Sequence, residues 1–236
     1  SPPLSLPFPH SPIPSLLVPP PSSFPSFSFV THSMIFDVVV KIHSLFPSLL
    51  CSESYWPVVL LSVVRHVGEN ERLATKAFNF LNGISQNKQT RVTVYNFLPL
   101  CEALCMFGSI NTPTGDTSTA ITSIDRLSHL FTLAPTIVKS YQDQKQKQQS
   151  HSSSSPTHTP RLWNDFWFPN LEFLSRFCTD KRPTVRGHAL TILQHTLLSA
   201  EIRDFFCEGN EMEERVWGCF EQIIFSLLDG VLAGVG

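Results

Sequence analysis

The chain has 236 residues, a formal net charge of −2 and 15% charged side chains, well under the roughly 25% of an ordinary soluble domain. That balance excludes a broad basic footprint for nucleic acid or for an anionic membrane. No run reaches the roughly 20 apolar residues of a spanning helix; the nearest, YWPVVLLSVV from Tyr55, is interrupted by Pro57 and Ser62.

Residues 1–33 differ in composition from the rest. Ten of the 19 prolines fall in the first 25 residues, and the first charged side chain is Asp37. Proline fixes φ and removes a donor, so neither a helix nor a central strand is expected here. The segment lacks the basic start and unbroken apolar core of a signal peptide. Two readings stand. One is a disordered proline-rich arm able to present a polyproline II ligand. The other, favoured by the absence of charge, is translated non-coding sequence ahead of the true frame. The chain does not begin with Met, which fits a fragment or a gene model open at its front.

From Met34 the pattern is helical. Ile35, Val39, Ile42, Phe46 and Leu49 mark a first stripe that Pro47 ends, and Trp56, Leu60, Val63 and Val67 mark a second. Asn70 is the expected N-cap of a third helix, with Leu73, Ala77, Phe80, Leu81 and Ile84 inside. Val94, Leu98, Cys101, Cys105 and Gly108 form a fourth stripe, and NTPTGDTST (111–119) is a turn cluster. Ala120, Ile124, Leu127, Phe131, Ala134, Val138 and Tyr141 then alternate at four and three, with Pro135 expected to kink or break the helix. Helical repeats are thus expected over 34–141. Residues 142–160, QDQKQKQQSHSSSSPTHTP, offer almost nothing to bury and read as a mobile polar loop.

Helical repeats resume over 161–236. Trp163, Trp167, Leu171, Leu174 and Cys178 lead to a charged turn, followed by Val185, Ala189, Ile192, Leu193 and Leu197. A short EIRDFF segment comes next, then a last stripe of Val216, Phe220, Ile223, Leu227 and Val231. The class is all-α: a HEAT/armadillo-like α-solenoid of about eight helices with a disordered proline-rich N-terminal arm.

The turn concentrates Asp180, Lys181, Arg182 and Arg186 in a chain poor in charge. Either an active site or a repeat hinge would account for it. The second account fits the neighbours. Asp180 can accept free N–H groups of the next helix. Pro183 suits the first helical position. Arg186 can pair with a turn carboxylate of its own or the adjacent repeat, and Ala189 lets helices approach. Asp180, Val185, Arg186, Ala189 and Leu193 therefore read as a structural repeat motif, with Trp163 and Arg182 as candidate partner contacts.

Other chemistry is thin. The six cysteines (Cys51, Cys101, Cys105, Cys178, Cys207, Cys219) show no CxxC spacing, which fits a reducing compartment, and Cys101 and Cys105, four apart on one helix face, read as buried thiols rather than a metal pair. His188 and His195 are seven apart with no acid or nucleophile placed beside them in sequence, and His151 and His158 are isolated. TGDT (114–117) lacks the Lys and the strand-to-helix context of a phosphate loop. Glu211, Glu213 and Glu214 suit the N-terminal end of a helix dipole. No catalytic residue, cofactor site or metal site is assigned.

The stretch LWNDFWFPNLEFLSRFCTDKRPTVRGHALTILQHTLL (162–198), followed by VWGCFEQIIFSLLDGVL (216–232), resembles the C-terminal helical region of the large Golgi guanine-nucleotide exchange factors for Arf GTPases, the GBF/Gea class. The resemblance rests on Trp163, Cys178, Asp180, Arg182, Val185, Arg186, Ala189, Leu190, Leu193 and Gln194, then on Trp217, Cys219 and Phe220. It is good over 160–232, weaker over 55–141, and absent over 1–33. The family's catalytic exchange domain has no counterpart in these residues, so the resemblance implies a non-catalytic downstream piece. It further implies Golgi membrane recruitment and regulation in ER–Golgi vesicle transport, with Arf-pathway proteins or Golgi membrane adaptors as partners. Peripheral membrane contact and homo-oligomerisation through the parent protein belong to the same implication, and the location would be cytoplasmic, peripheral at Golgi membranes. A generic HEAT-type interaction scaffold unrelated to Arf is the alternative, since D-x-x-x-x-V-R-x-x-A marks many such scaffolds.

Overall fold

The computed structural model describes residues 29–46, 48–49, 56–86, 92–109, 111–112, 115–149, 160–207, 217–218, 220–225 and 227–229. All regular structure among them is helical: α1 (Phe29–Leu45), α2 (Trp56–Gly68), α3 (Glu71–Gln86), α4 (Phe97–Gly108), α5 (Thr117–Gln149), α6 (Phe168–Cys178), α7 (Pro183–Leu197) and α8 (Ala200–Cys207). Two π-helical segments, Trp163–Trp167 and Phe220–Phe225, complete the set.

Successive helices pair as hairpins, α2 with α3, α4 with α5 and α6 with α7. The first members stack α2 on α4 on α6, and α6 continues onto Phe220–Phe225. On the other side α5 packs on α7, so two layers enclose one core. This is the solenoid arrangement that the spacing of the apolar stripes predicts. Helices α2 and α4 begin 41 residues apart, within the roughly 40–47 of a HEAT or armadillo unit.

The core is continuous from Phe36 to Ile223 and is rich in rings. Phe97 meets Phe166 at 4.8 Å between centroids, and Phe131 stacks on Trp167 at 5.2 Å. Such pairs add about 0.5–1.5 kcal/mol beyond their buried area. Gly108 ends α4 where that helix meets α6. A Cβ there would lie 2.7 Å from the Phe177 ring, so the close approach depends on its absence.

Several local expectations hold. Asn70 accepts a hydrogen bond from the Arg72 N–H (3.1 Å), capping α3. Asp116, which no expectation singled out, caps α5 by accepting from the Thr119 N–H (2.6 Å). Pro183 opens α7 and Pro169 lies in the first turn of α6, where a missing donor costs little. All the α5 stripe except half-buried Tyr141 is buried, as are Trp163, Trp167, Leu171, Leu174 and Cys178.

Four expectations are corrected. Helix α1 begins at Phe29, ahead of the expected boundary at 34, because its residues before Met34 (FVTHS) carry no proline. Its buried residues are Phe36 and Val39, whereas Ile35 and Phe46 are exposed. Pro135 does not end α5, which runs on to Gln149 through residues assigned to the polar loop. Gln and Lys are good helix formers, so polarity alone does not stop a helix. In α4 the buried face is Phe97, Leu100, Cys101, Leu104 and Phe107, and Leu98 points outward. Residues 1–28, 150–159 and 208–216 with their histidines and acidic cluster, and Cys219 and Val231, lie outside the described residues.

Candidate functional site

The charged turn between α6 and α7 is a clamp. Arg182 Nε–H donates to Asp180 Oδ1 (2.8 Å) and Nη2–H to Oδ2 (2.7 Å), a two-point fork on one carboxylate. Nη2–H also donates to the Gly108 carbonyl (2.8 Å), and Nη1–H groups donate to the carbonyls of Gly115 (2.6 Å) and Asp116 (2.9 Å). Every N–H of the guanidinium is used. The three carbonyls belong to the C-terminus of α4 and the turn into α5, so one side chain ties two successive hairpins together.

Asp180 is the matching acceptor. Besides the fork, its Oδ1 accepts from the Arg182 backbone N–H (2.8 Å). The side chains are 14% exposed for Arg182 and 7% for Asp180. The hydrogen bonds from Arg182 hold the Asp180 carboxyl below the usual carboxylate range, against the opposing effect of burial. The same partner raises Arg182. Arg186 Nη1–H donates to the Asp180 backbone carbonyl (2.8 Å).

The residues read as a repeat motif are wired differently from the expectation. Val185, Ala189 and Leu193 are buried on one face of α7. Asp180 accepts from the N-cap residue Arg182 rather than from N–H groups inside α7. Arg186 reaches a carbonyl, not a carboxylate. Arg182 is not a free partner contact, because its whole fork is spent inside the molecule. Trp163 is not one either: it is 7% exposed and stacks on Phe205 (5.8 Å between centroids, 18° between planes).

Sequence reasoning missed three polar contacts, each long-range. Asn170 is buried and donates to the Leu127 carbonyl (3.1 Å) and to Cys101 Sγ (3.5 Å). His188 Nε2 lies 2.8 Å from Asp125 Oδ1 across the α5–α7 interface, the acid that no local spacing could reveal. Trp167 Nε1–H donates to the Phe131 carbonyl (3.1 Å). Phe131 stands four residues before Pro135, so its carbonyl is the one that proline leaves without a helical donor.

Beside the clamp lies a groove of about 890 Å³ between α4 and α6, with Leu98, Glu102, Cys105, Phe173, Arg176 and Lys181 among its walls. Four of its charges are opposed in pairs: Arg65 with Glu102 (3.1 Å) and Arg176 with Glu172 (3.0 Å). Burial raises the Cys105 thiol despite the neighbouring Arg176 and Arg65, which disfavours the nucleophilic thiolate. Burial pushes Cys178 up to about 12 and raises Cys101 further. Among the described residues no helix is long and apolar enough to cross a membrane.

Stacked helix hairpins, tied turn to turn, define an all-helical repeat class. Within it, residues 167–234 match the family described as "GBF1-like, tetratrico peptide repeat region". The chain thus carries a segment similar to the C-terminal region of the GBF1 type, in the stretch where the sequence resemblance falls. The family description names tetratricopeptide repeats where the stripe spacing suggests HEAT units; both stack antiparallel helix pairs. No solved structure matches the chain.

Proposed function

We propose that this chain is a non-catalytic, downstream helical piece of an Arf guanine-nucleotide exchange factor of the GBF/Gea class. Its role is to help place the exchange factor on Golgi membranes and to regulate it in ER–Golgi vesicle transport. The observation that carries this reading is the GBF1-like match over 167–234, which covers the helices around the Arg182 clamp.

The physical setting supports docking over reaction. A stack of helix pairs offers extended faces to a partner, and the clamp ties neighbouring hairpins together. With a net charge of −2, electrostatic attraction to anionic lipid is too weak to hold the chain on a membrane by itself. Arf-pathway proteins or Golgi membrane adaptors are therefore the proposed partners, with peripheral membrane contact from the cytoplasmic side.

Two measurements test the reading. The chain alone should leave GDP release from an Arf GTPase at its spontaneous rate. In the full-length parent, deleting residues 161–236 should preserve exchange by the isolated catalytic domain in solution and reduce Golgi recruitment in cells, seen by fluorescence imaging. Normal Golgi localisation and normal secretory traffic after the deletion would remove the recruitment role.

A further inference from the structure

Helix α1 is apolar on two opposite faces. Phe36 and Val39 are buried on the side that packs on α2 and α3. On the outer side Val30, Met34, Ile35, Val38 and Leu45, with Phe46 just past the helix, are 38–65% exposed. At about 100° per residue these six and Ile42 share one arc of roughly 160°. Lys41, near the edge, is the one charged side chain in that arc. A helix at the end of a solenoid needs a polar outer face for solubility, and a helix apolar all round is a covered one.

We propose that the outer face of α1 is a self-association surface, on which a second copy of this chain docks through its own α1, antiparallel about a two-fold axis at Val38. Three observations select a second copy. The first is area. The six side chains leave roughly 700 Å² exposed, above the roughly 300–600 Å² of the largest patch on an ordinary monomer and close to the roughly 800 Å² per partner of a standard interface. The second is self-complementarity, which a two-fold contact requires. Val30, Met34, Val38, Ile42 and Phe46 form an i, i+4 ridge that is symmetric about Val38. Two such ridges interlock at a crossing of about 50°, which centres the contact on Val38 and sets Met34 of each copy against Ile42 of the other.

The third is charge. Asp37 and Lys41 flank Val38 on one edge of the ridge. With a rise of about 1.5 Å per residue, antiparallel pairing brings Lys41 of each copy to within about 3 Å, along the axis, of Asp37 of the other. Parallel pairing would leave them on opposite sides of the contact. Asp37 Oδ1 accepts from Lys76 Nζ (2.8 Å), and Oδ2 is the atom offered to the second copy. A lipid surface is the poorer match, because helices that lie in the membrane interface are rich in Lys and Arg and α1 has one Lys and no Arg.

The test is sedimentation velocity on the full chain at micromolar concentration. A reversible species of twice 26.5 kDa is expected. Val38→Lys places a charge at the two-fold axis and should weaken dimerisation at least about thirtyfold. Val38 is 57% exposed, so circular dichroism and Tm should match the wild type. Leu198→Lys, at a side chain 74% exposed outside α1, should leave the dimer unchanged. Lys41→Asp should weaken it, and the exchanged pair Asp37→Lys with Lys41→Asp should recover part of that loss. A chain that stays monomeric, a dimer indifferent to Val38→Lys, or equal loss in Leu198→Lys would overturn the proposal. So would a monomer that floats with phosphatidylcholine vesicles through Val38, which would give the face to lipid. Failure of the exchanged pair to recover any association would overturn the antiparallel arrangement.

Discussion

Arg182 caps α7 and Arg186 lies four residues on, inside the helix, yet their surroundings assign them different weights. Arg182 is nearly buried and serves one carboxylate and three carbonyls. Arg182→Ala removes the cation and leaves a buried Asp180 without its partner, which should cost about 3–5 kcal/mol in urea unfolding. Arg186→Ala removes a hydrogen bond to a backbone carbonyl and should cost about 0.5–3 kcal/mol. If the two variants are equally stable, the clamp is not the dominant contact of the turn. The pH dependence follows from Asp180. Its folded-state pKa lies below its unfolded value of about 3.9. The fork therefore contributes fully above that value and loses its contribution as pH falls through the folded pKa. The stability gap between wild type and Asp180→Asn should be constant from pH 7 to 5 and close below about pH 4. A gap that persists in acid would mean that the carboxylate charge is not the source. By contrast Lys76–Asp37 and Arg203–Asp204, both more than half exposed, fall in the class worth about 0–1 kcal/mol.

At the scale of the element, α5 explains why some helices were legible and others only half so. Its apolar residues recur at four and three with Thr, Ser, Asp and Arg between them, so one face is marked and that face is buried. In α4 almost every position is apolar, and in α1 apolar residues run consecutively at 34–36 and 38–40. Period then cannot choose a face, and the observed faces, Phe36 and Val39 in α1 and Leu100, Leu104 and Phe107 in α4, are set by the neighbouring helices. Pro135 was legible as a lesion but not as a survivable one, because its compensation comes from another element, the Trp167 indole on the orphaned Phe131 carbonyl. This pairing gives a second prediction. Trp167→Phe keeps a ring against Phe131 and deletes the donor, costing about 1–3 kcal/mol for an unsatisfied buried carbonyl plus lost packing. Pro135→Ala restores a backbone N–H at position 135 able to bond that same carbonyl. In a double-mutant cycle by thermal unfolding, Pro135→Ala should recover part of the Trp167→Phe loss. Strict additivity would show that the indole bond and the proline are energetically unrelated.

Across the whole molecule the concentration of charge in the turn was legible from its own residues, while its reach was not. Gly108, Gly115 and Asp116 lie 66 to 74 residues from Arg182 in sequence, and no local pattern announces a carbonyl as an acceptor. That reach matters because a solenoid's cooperativity resides in the interfaces between units, each hairpin contacting mainly its neighbours. The Arg182 clamp sits on the boundary between the α4/α5 and α6/α7 hairpins, alongside the buried contacts of Gly108 with Phe177 and of Asn170 with Leu127. Loss of the clamp should therefore act as an uncoupling as well as a destabilisation. In hydrogen exchange followed by mass spectrometry, Arg182→Ala should lower protection at the α4 C-terminus and the first turn of α5 as well as around 179–186. Leu193→Ala, a core truncation inside α7 costing about 2–5 kcal/mol, should lower protection chiefly in α6 and α7. The urea transition of Arg182→Ala should also broaden, with a smaller apparent m-value, as the two hairpins cease to unfold together. If Arg182→Ala and Leu193→Ala give the same exchange pattern at matched stability, the clamp adds strength to the stack without carrying its coupling.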